Sequence, residues 1–188
     1  MARALLATGL LVLLAVVPAR ADTLSALHGR YVIDPSSRIA FSVAQIGGDG
    51  ISGVFSRFSG TFDLDPDDIA RSRVRFSLRP ESVTTGQPRV ETFLKSSAVF
   101  DVAAHPVITF RSTAIRKEGA DRAVIQGVLT ARGITRRETF AATLVKRQGR
   151  VISFHVAGDV MRSPYGMDVG TPIYSNVVRF NMTLNGRR

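Results

Sequence analysis

Apolar and polar residues alternate with a period of two along most of this chain, which is the pattern of half-buried β-strands. The clearest run spans residues 73–79, where Val74, Phe76 and Leu78 alternate with arginine or serine. Similar alternation recurs at 39–43, 58–64, 108–110, 125–129, 140–144, 152–156 and 178–184. Glycine-rich and aspartate-rich turns separate these runs. The pattern predicts eight to ten antiparallel strands.

One segment departs from this alternation and predicts a short helix. Pro88 stands where a helix can begin, and Val90, Phe93 and Leu94 follow as one apolar stripe at helical spacing. The stripe must cover apolar surface, either the mouth of a barrel or an ordinary core, and the pattern leaves both open. The whole chain therefore predicts an all-β fold, an extended antiparallel eight-stranded barrel with a short helical insertion.

The first residues predict export. Arg3 precedes an apolar run over residues 4–17, and Ala19-Arg20-Ala21 supplies the small-x-small pattern that a signal peptidase reads. The run is short for a helix that spans a bilayer. We therefore predict a cleaved signal peptide at 1–21, a single domain at 22–188, and a periplasmic or secreted location.

The composition narrows the chemistry that the chain can perform. It contains no Cys, which excludes disulfides and thiolate metal sites. His28, His105 and His155 lack the spacing of metal ligands, and no Gly-x-Ser-x-Gly or phosphate-cradling glycine motif occurs. We therefore expect no enzyme activity, no metal and no cofactor.

The formal net charge is +10, and it falls to +8 when Arg3 and Arg20 leave with the signal peptide. The arginines are scattered rather than clustered, so we expect no nucleic-acid partner. The charge favours either anionic lipid headgroups, with transient contact to a membrane surface, or a phosphorylated ligand, and charge alone leaves both open. A homodimer through an exposed strand edge or the helix is also open. The arginine-out alternation at 73–79 argues against a membrane-spanning barrel.

Several motifs together resemble one known family. They include Tyr31-Val32-Ile33-Asp34-Pro35, Gly53-Val54-Phe55-Ser56-Arg57-Phe58, Pro106-Val107-Ile108-Thr109-Phe110 and Arg162-Ser163-Pro164-Tyr165-Gly166-Met167. In this order and spacing, the chain resembles the YceI-like family of exported, lipocalin-like isoprenoid-binding proteins. The resemblance implies a lipocalin-like barrel whose long apolar channel holds a polyprenyl phosphate or an isoprenoid quinone. Where the family usually carries Arg-Asp-x-His-Leu, this chain has Val90-Glu91-Thr92-Phe93-Leu94, so Phe93 makes the expected channel wall more apolar.

An apolar tube with a polar mouth is what such a ligand requires. The candidate lining residues are those whose apolar side chains we expect to face the interior, namely Phe41, Phe58, Phe62, Phe76, Phe93, Phe100, Phe110, Phe154, Met167 and Phe180. For the mouth we select Arg89 and Arg162, which can grip a phosphate, and Tyr165, which can hydrogen-bond a quinone carbonyl. We therefore expect non-catalytic binding, transport or storage of an isoprenoid lipid. The alternative is an exported structural or stress-related barrel with a filled core and no lipid ligand.

Overall fold

The computed structural model describes residues 23–188, and the predicted signal peptide lies outside that range. Eleven β-strands form one antiparallel sheet. They are β1 (Gly29–Ile33), β2 (Arg38–Gln45), β3 (Gly48–Phe55), β4 (Phe58–Leu64), β5 (Arg73–Leu78), β6 (Val83–Thr84), β7 (Ile108–Lys117), β8 (Arg122–Ala131), β9 (Ile134–Gln148), β10 (Val151–Met161) and β11 (Tyr174–Arg187). The helix α1 (Pro88–Lys95) interrupts them. No helix within residues 23–188 has the length and apolar character needed to cross a membrane.

The eleven segments make eight long strands, because β1 continues into β2, β3 into β4, and β5 into β6. Each long strand pairs with the next along the chain, and β11 returns to pair with both β1 and β2. The sheet is therefore the closed eight-stranded antiparallel barrel that the sequence predicts.

Two of the three breaks contain a proline, which has no N–H for the ladder. Pro35 lies between β1 and β2, and Pro80 lies between β5 and β6. At the third break, Arg57 donates its backbone N–H to the Ser82 Oγ at 3.0 Å instead of to a strand neighbour. Each long strand can therefore change direction at its break while the ring stays closed.

The predicted inward and outward faces are confirmed along the strands. In β5, Val74 and Leu78 are buried while Arg73 and Arg75 are exposed. Two glycines let aromatic rings lie close against the wall. A Cβ added at Gly127 would come within 2.4 Å of the Phe110 ring. One added at Gly158 would come equally close to the Phe140 ring, at 2.4 Å.

One end of the barrel is closed by its own chain. The segment before β1 crosses this end, where Leu24 and Leu27 are buried. The Leu24 backbone N–H donates to the Ala120 carbonyl at 2.8 Å, which ties the segment to the connection between β7 and β8. Ile152 at the start of β10 is fully buried at the same end.

The opposite end carries the insertion of residues 85–107, which contains α1. Glu91 accepts hydrogen bonds from the backbone N–H groups of Thr85 and Gly86, at 2.7 and 3.1 Å, and the Thr85 bond is the main cause that lowers the pKa of Glu91. On the apolar stripe, Leu94 is buried, but Phe93 is 44% exposed. The predicted helix is confirmed, and its stripe lies at the mouth of the barrel.

Candidate functional site

The barrel encloses an apolar cavity of about 430 Å³. All eight long strands, α1 and the N-terminal segment contribute to its wall. The lining residues in the described chain that carry polar side-chain atoms are Arg89, Arg162, Tyr165 and Tyr174. Such a wall favours an apolar ligand, and the volume is typical of ligand pockets. The structural alternative required a filled core, and the barrel centre is not filled.

The cavity is elongated along the barrel. Its lining residues on β11 run from Tyr174 to Leu184, a path of about 33 Å at roughly 3.3 Å per strand residue. At the open end, Phe93 and Val169 line the cavity and are also 44% and 41% exposed. At the closed end, the lining residue Leu27 is 1% exposed. A ligand therefore has access through one end.

The polar lining groups all lie near the open end. Tyr174 begins β11, Arg162 and Tyr165 belong to the connection between β10 and β11, and Arg89 lies on α1. The rest of the wall, down to the closed end, offers apolar contacts. This arrangement suits an amphiphile whose polar head stays at the mouth while its apolar tail extends inward.

The structure brings almost all of the predicted site residues to this cavity. The predicted residues that line it are Phe41, Phe62, Phe76, Arg89, Phe93, Phe100, Phe110, Phe154, Arg162, Tyr165, Met167 and Phe180. Their position in the wall follows from the alternation of the strands. Their contact with a ligand stays a prediction.

Phe58 is the exception, and its predicted place in the lining is wrong. It is the first residue of β4, directly after the break from β3. Its ring stacks on Phe76, with 6.2 Å between the ring centroids and 21° between the ring planes. Phe76 lines the cavity and Phe58 does not, so Phe58 supports the wall.

Two lining phenylalanines were not selected from the sequence. Phe55 lies 5.2 Å from Phe41, between ring centroids, and Phe140 meets Phe110 edge to face at 5.2 Å. Phe140 has the same strand parity as Leu144, so the alternation of β9 could have identified it. Phe55 ends a strand with three glycines, where the alternation is weak.

Arg162 has a different role from the one predicted. It is 7% exposed, and four of its N–H donors bind backbone carbonyls. The accepting carbonyls belong to Met167, Val169, Tyr174 and Ser175. A guanidinium has five N–H donors, so little capacity is left for a phosphate. Burial lowers the pKa of Arg162, and the charge of Asp168 opposes this. The predicted phosphate grip by Arg162 is therefore corrected: the residue holds the connection between β10 and β11 in place.

Tyr165 is also fully buried instead of standing at a wet mouth. It ends a 3-10 turn, Ser163–Tyr165, and Gly166 follows with a φ of 72°, a conformation that favours glycine. The Tyr165 hydroxyl donates to the Glu138 Oε1 at 2.7 Å. A quinone carbonyl would have to replace Glu138 to receive this hydrogen bond. Glu138 was not selected from the sequence, although it shares the inward parity of Phe140.

The Tyr165 hydroxyl gives the barrel a pH dependence at alkaline pH. Burial, chiefly, and the hydrogen bond to Glu138 raise the pKa of Tyr165 above its ordinary value. An unfolded tyrosine ionises near pH 10. Because the folded pKa is the higher one, the stability that this group contributes is complete below about pH 10 and is lost as the pH rises further.

We expect Tyr165→Phe to flatten this alkaline loss of stability. The measurement is the free energy of unfolding in urea at about pH 8, 10 and 11 for both proteins. The variant should be less stable at pH 8, because Glu138 loses its donor, and should lose less additional stability by pH 11. An equal additional loss in both proteins would contradict the role of Tyr165.

Of the two arginines in the cavity lining, Arg89 is the one whose donors are not used within the described chain. It is exposed on the first turn of α1, and its side chain contributes to the cavity wall. Within residues 23–188 it makes no hydrogen bond or ion pair. Its donors are therefore available to a ligand or to water.

None of the three histidines lines the cavity of the described barrel. His155 Nε2 lies 3.0 Å from Asn181 Oδ1 on the outside of the barrel. Across the described residues, no three His, Asp or Glu side chains come together as metal ligands.

Comparison with known proteins identifies the family of this chain. A sequence model described as the YceI-like domain matches residues 31–186, nearly the whole barrel. The chain belongs to the YceI-like family. Among its relatives, Protein YceI of Salmonella arizonae and of Salmonella enteritidis are each 33% identical over 124 residues. The match spans 64% of this chain, and this chain covers 64% of each of those relatives, somewhat less than two thirds.

Solved structures of the YceI-like fold are similar to this barrel. The crystal structure of Burkholderia cenocepacia BcnA has a TM-score of 0.75 at 23% identity and covers 81% of this chain and 98% of its own. A YceI protein of Campylobacter jejuni has a TM-score of 0.69 at 20% identity, over 77% of this chain and 89% of its own. A Saccharophagus degradans protein described as a polyisoprenoid binding domain has a TM-score of 0.69 at 14% identity, over 84% and 97%. These likenesses establish the shared barrel fold.

Proposed function

We propose that this protein binds a long-chain isoprenoid lipid, a polyprenyl phosphate or an isoprenoid quinone, without chemical turnover. It would transport or store the lipid after export to the periplasm or to the medium. The observation that carries the proposal is the elongated, almost wholly apolar cavity with its polar groups at one end. Membership of the YceI-like family, with a structural neighbour described as a polyisoprenoid binding domain, supports it.

The apolar wall provides enough driving force for such a ligand. Burying roughly 600 Å² of an isoprenoid at about 25 cal/mol per Å² contributes on the order of 15 kcal/mol before ordering costs. Immobilising a flexible chain offsets much of this, which is consistent with an affinity between micromolar and nanomolar. Holding the lipid therefore requires no polar contact along the tail.

The residues at the mouth indicate which headgroup the ligand carries. Arg89 is exposed and without a partner in the described chain, so it can meet a phosphate, while Tyr165 and Arg162 are already bonded within the protein. A phosphate at the mouth would remain in contact with water, as a charged group requires. A quinone head is neutral, and the Tyr165 hydroxyl that was expected to bind it already donates to Glu138. The positive charge of exposed Arg89 therefore favours a phosphorylated head over a neutral quinone.

Native mass spectrometry of the protein purified from its own host tests the proposal directly. We expect an adduct that dissociates to an isoprenoid, and its mass identifies the headgroup. A host-purified protein that carries no lipid, and that takes up neither polyprenyl phosphate nor quinone when these are added, would overturn the proposal.

We expect Phe93→Asp to lower lipid retention by at least about tenfold, because it puts a charge where the tail passes the mouth. Phe93 is 44% exposed, so the variant should fold. Thr92→Asp is the matched control, since it puts the same charge on an exposed neighbouring position of α1 that does not line the cavity. Retention is measured as the lipid-bound fraction in native spectra. Unchanged retention in folded Phe93→Asp would remove Phe93 from the site.

A further inference from the structure

Large hydrophobic side chains are exposed mainly at the open end of the barrel. Nine such residues stand exposed in the described part of the chain, and all except Val32 and Val145 lie on connections or strand ends at the open end. Four of them lie on the turn and connections that surround the mouth: Ile46 in the β2–β3 turn, Phe93 on α1, and Val169 and Ile173 in the β10–β11 connection. Together we name them the rim.

A backbone hydrogen bond holds part of the rim together. The Ile46 backbone N–H donates to the Ile173 carbonyl at 2.9 Å, which joins two separate connections. The two isoleucine side chains next to this bond are 75% and 56% exposed. Val169, on the same connection as Ile173, also lines the cavity, so the rim is continuous with the cavity wall.

The closed end of the same barrel provides an internal comparison. Its connections contain Asp65-Pro66-Asp67-Asp68, Glu118-Gly119-Ala120-Asp121 and Gly149-Arg150. No large hydrophobic side chain is exposed on them. Asp65 instead accepts two hydrogen bonds from Arg71, at 2.9 and 3.0 Å. The two ends therefore differ in one respect: the connections at the open end expose large apolar side chains, and these connections at the closed end do not.

The connections that surround the rim carry little net charge. The connections at the open end contain the cations Arg89, Lys95, Arg132 and Arg162, and the anions Glu91, Asp101 and Asp168. Arg162 and Glu91 are hydrogen-bonded to backbone groups. Charge complementarity therefore does not select an anionic partner at this end, and the exposed apolar area is the dominant feature.

We propose that the rim docks on a lipid bilayer, with the isoleucines of the β2–β3 turn and the β10–β11 connection inserted among the acyl chains. This inference rests on the proposed function, because an isoprenoid cargo resides in membranes and must pass through the open end. Docking by the rim would place the mouth against the bilayer, so the tail could slide between bilayer and cavity without crossing water. The cost of exposing an apolar tail to water makes such a route favourable.

The absence of tryptophan from the chain allows a direct test. Ile173→Trp introduces one fluorophore on the rim, and Val145→Trp is the matched control on the barrel wall, where the native valine is 62% exposed against 56% for Ile173. Isoprenoid-free phosphatidylcholine vesicles are added, with and without brominated acyl chains. We expect a blue shift and bromine quenching for Ile173→Trp and neither for Val145→Trp. No shift at position 173, or equal shifts at both positions, would overturn the proposal.

A second pair of variants measures the contribution of the rim to affinity. We expect Ile46→Ser with Ile173→Ser to weaken vesicle binding by at least about tenfold, since each exposed isoleucine loses its apolar contact. Val32→Ser with Val145→Ser should change binding by less than about twofold. Binding should also persist in about 0.5 M salt. Binding that needs anionic lipid and disappears in salt would instead assign docking to the basic walls, and a blue shift that grows with protein concentration alone would assign the rim to a second copy of this chain.

Cavity loading is measured separately so that the two proposals can fail independently. Neither Ile46 nor Ile173 lines the cavity. The double-serine variant should therefore still load a polyprenol delivered from ethanol, as seen in native spectra. Loading without vesicle binding by the wild type would refute docking alone, whereas vesicle binding without loading would refute the isoprenoid cargo.

Discussion

Ala142→Phe should strongly weaken the binding of a polyprenyl lipid by the cavity. Ala142 lies on β9, lines the cavity, and pairs across the sheet with Ala123 and Val156. A phenyl ring at this level displaces at least one isoprene unit of a bound tail. At about 0.8 kcal/mol per buried carbon, five carbons contribute roughly 4 kcal/mol, which corresponds to about a thousandfold loss of affinity. Titration with a fluorescent polyprenyl analogue measures the change.

Ala141→Phe is the matched control, because this neighbouring alanine faces the outside of the same strand and does not line the cavity. It should bind the analogue with unchanged affinity. The added ring in Ala142→Phe enters existing space, so its free energy of unfolding should change by less than about 2 kcal/mol. Wild-type affinity in folded Ala142→Phe would contradict occupation of this part of the cavity by the tail.

Arg162→Met should be strongly destabilising. The side chain is buried, and its guanidinium supplies hydrogen bonds to four backbone carbonyls. Removing it leaves those carbonyls without donors, at a cost of roughly 3–5 kcal/mol in the free energy of unfolding. Urea unfolding of the purified variant gives this value.

Arg89→Met is the comparison for this loss. Arg89 also contributes to the cavity wall, but it is exposed and bonds to no other described residue. Its replacement should alter the free energy of unfolding by no more than about 0.5 kcal/mol. Equal losses in the two variants would show that the hydrogen bonds of Arg162 do not stabilise the connection between β10 and β11.

Strand faces and the helix could be predicted from the sequence because each depends on local periodicity. Val74, Phe76 and Leu78 face inward because a regular strand alternates its side chains, whatever lies on the far side of the barrel. Pro88 begins α1 because proline suits the first helical turn. The family motifs added the closure of the sheet, which no local pattern specifies.

The exact lining could not be predicted in the same way. Phe58 has the correct parity, but the strand break beside it places its ring on Phe76 instead of in the cavity wall. The breaks also explain why eight long strands are divided into eleven segments. A period-two pattern does not report how far a strand bends at an interruption.

The polar residues were harder still to interpret. Arg162 and Tyr165 lie near the open end as expected, but the sequence does not show that carbonyls within about a dozen residues and Glu138 occupy their donors. Whether an arginine is available to a ligand depends on the turns around it, here a 3-10 turn and the connection that follows. Arg89 lies exposed on the first turn of α1, outside those turns.

Closure between β1 and β11 has a consequence for biosynthesis. The last strand hydrogen-bonds to the first at Val32–Arg187 and Ile33–Gly186, and to β2 along most of its length. A nascent polypeptide that lacks this final segment would leave β10 and the β1–β2 strand with unpaired edges, which are prone to aggregation. Translation must therefore reach the last strand before the wall can close, and a chaperone that holds the polypeptide unfolded until then would protect these edges from aggregation.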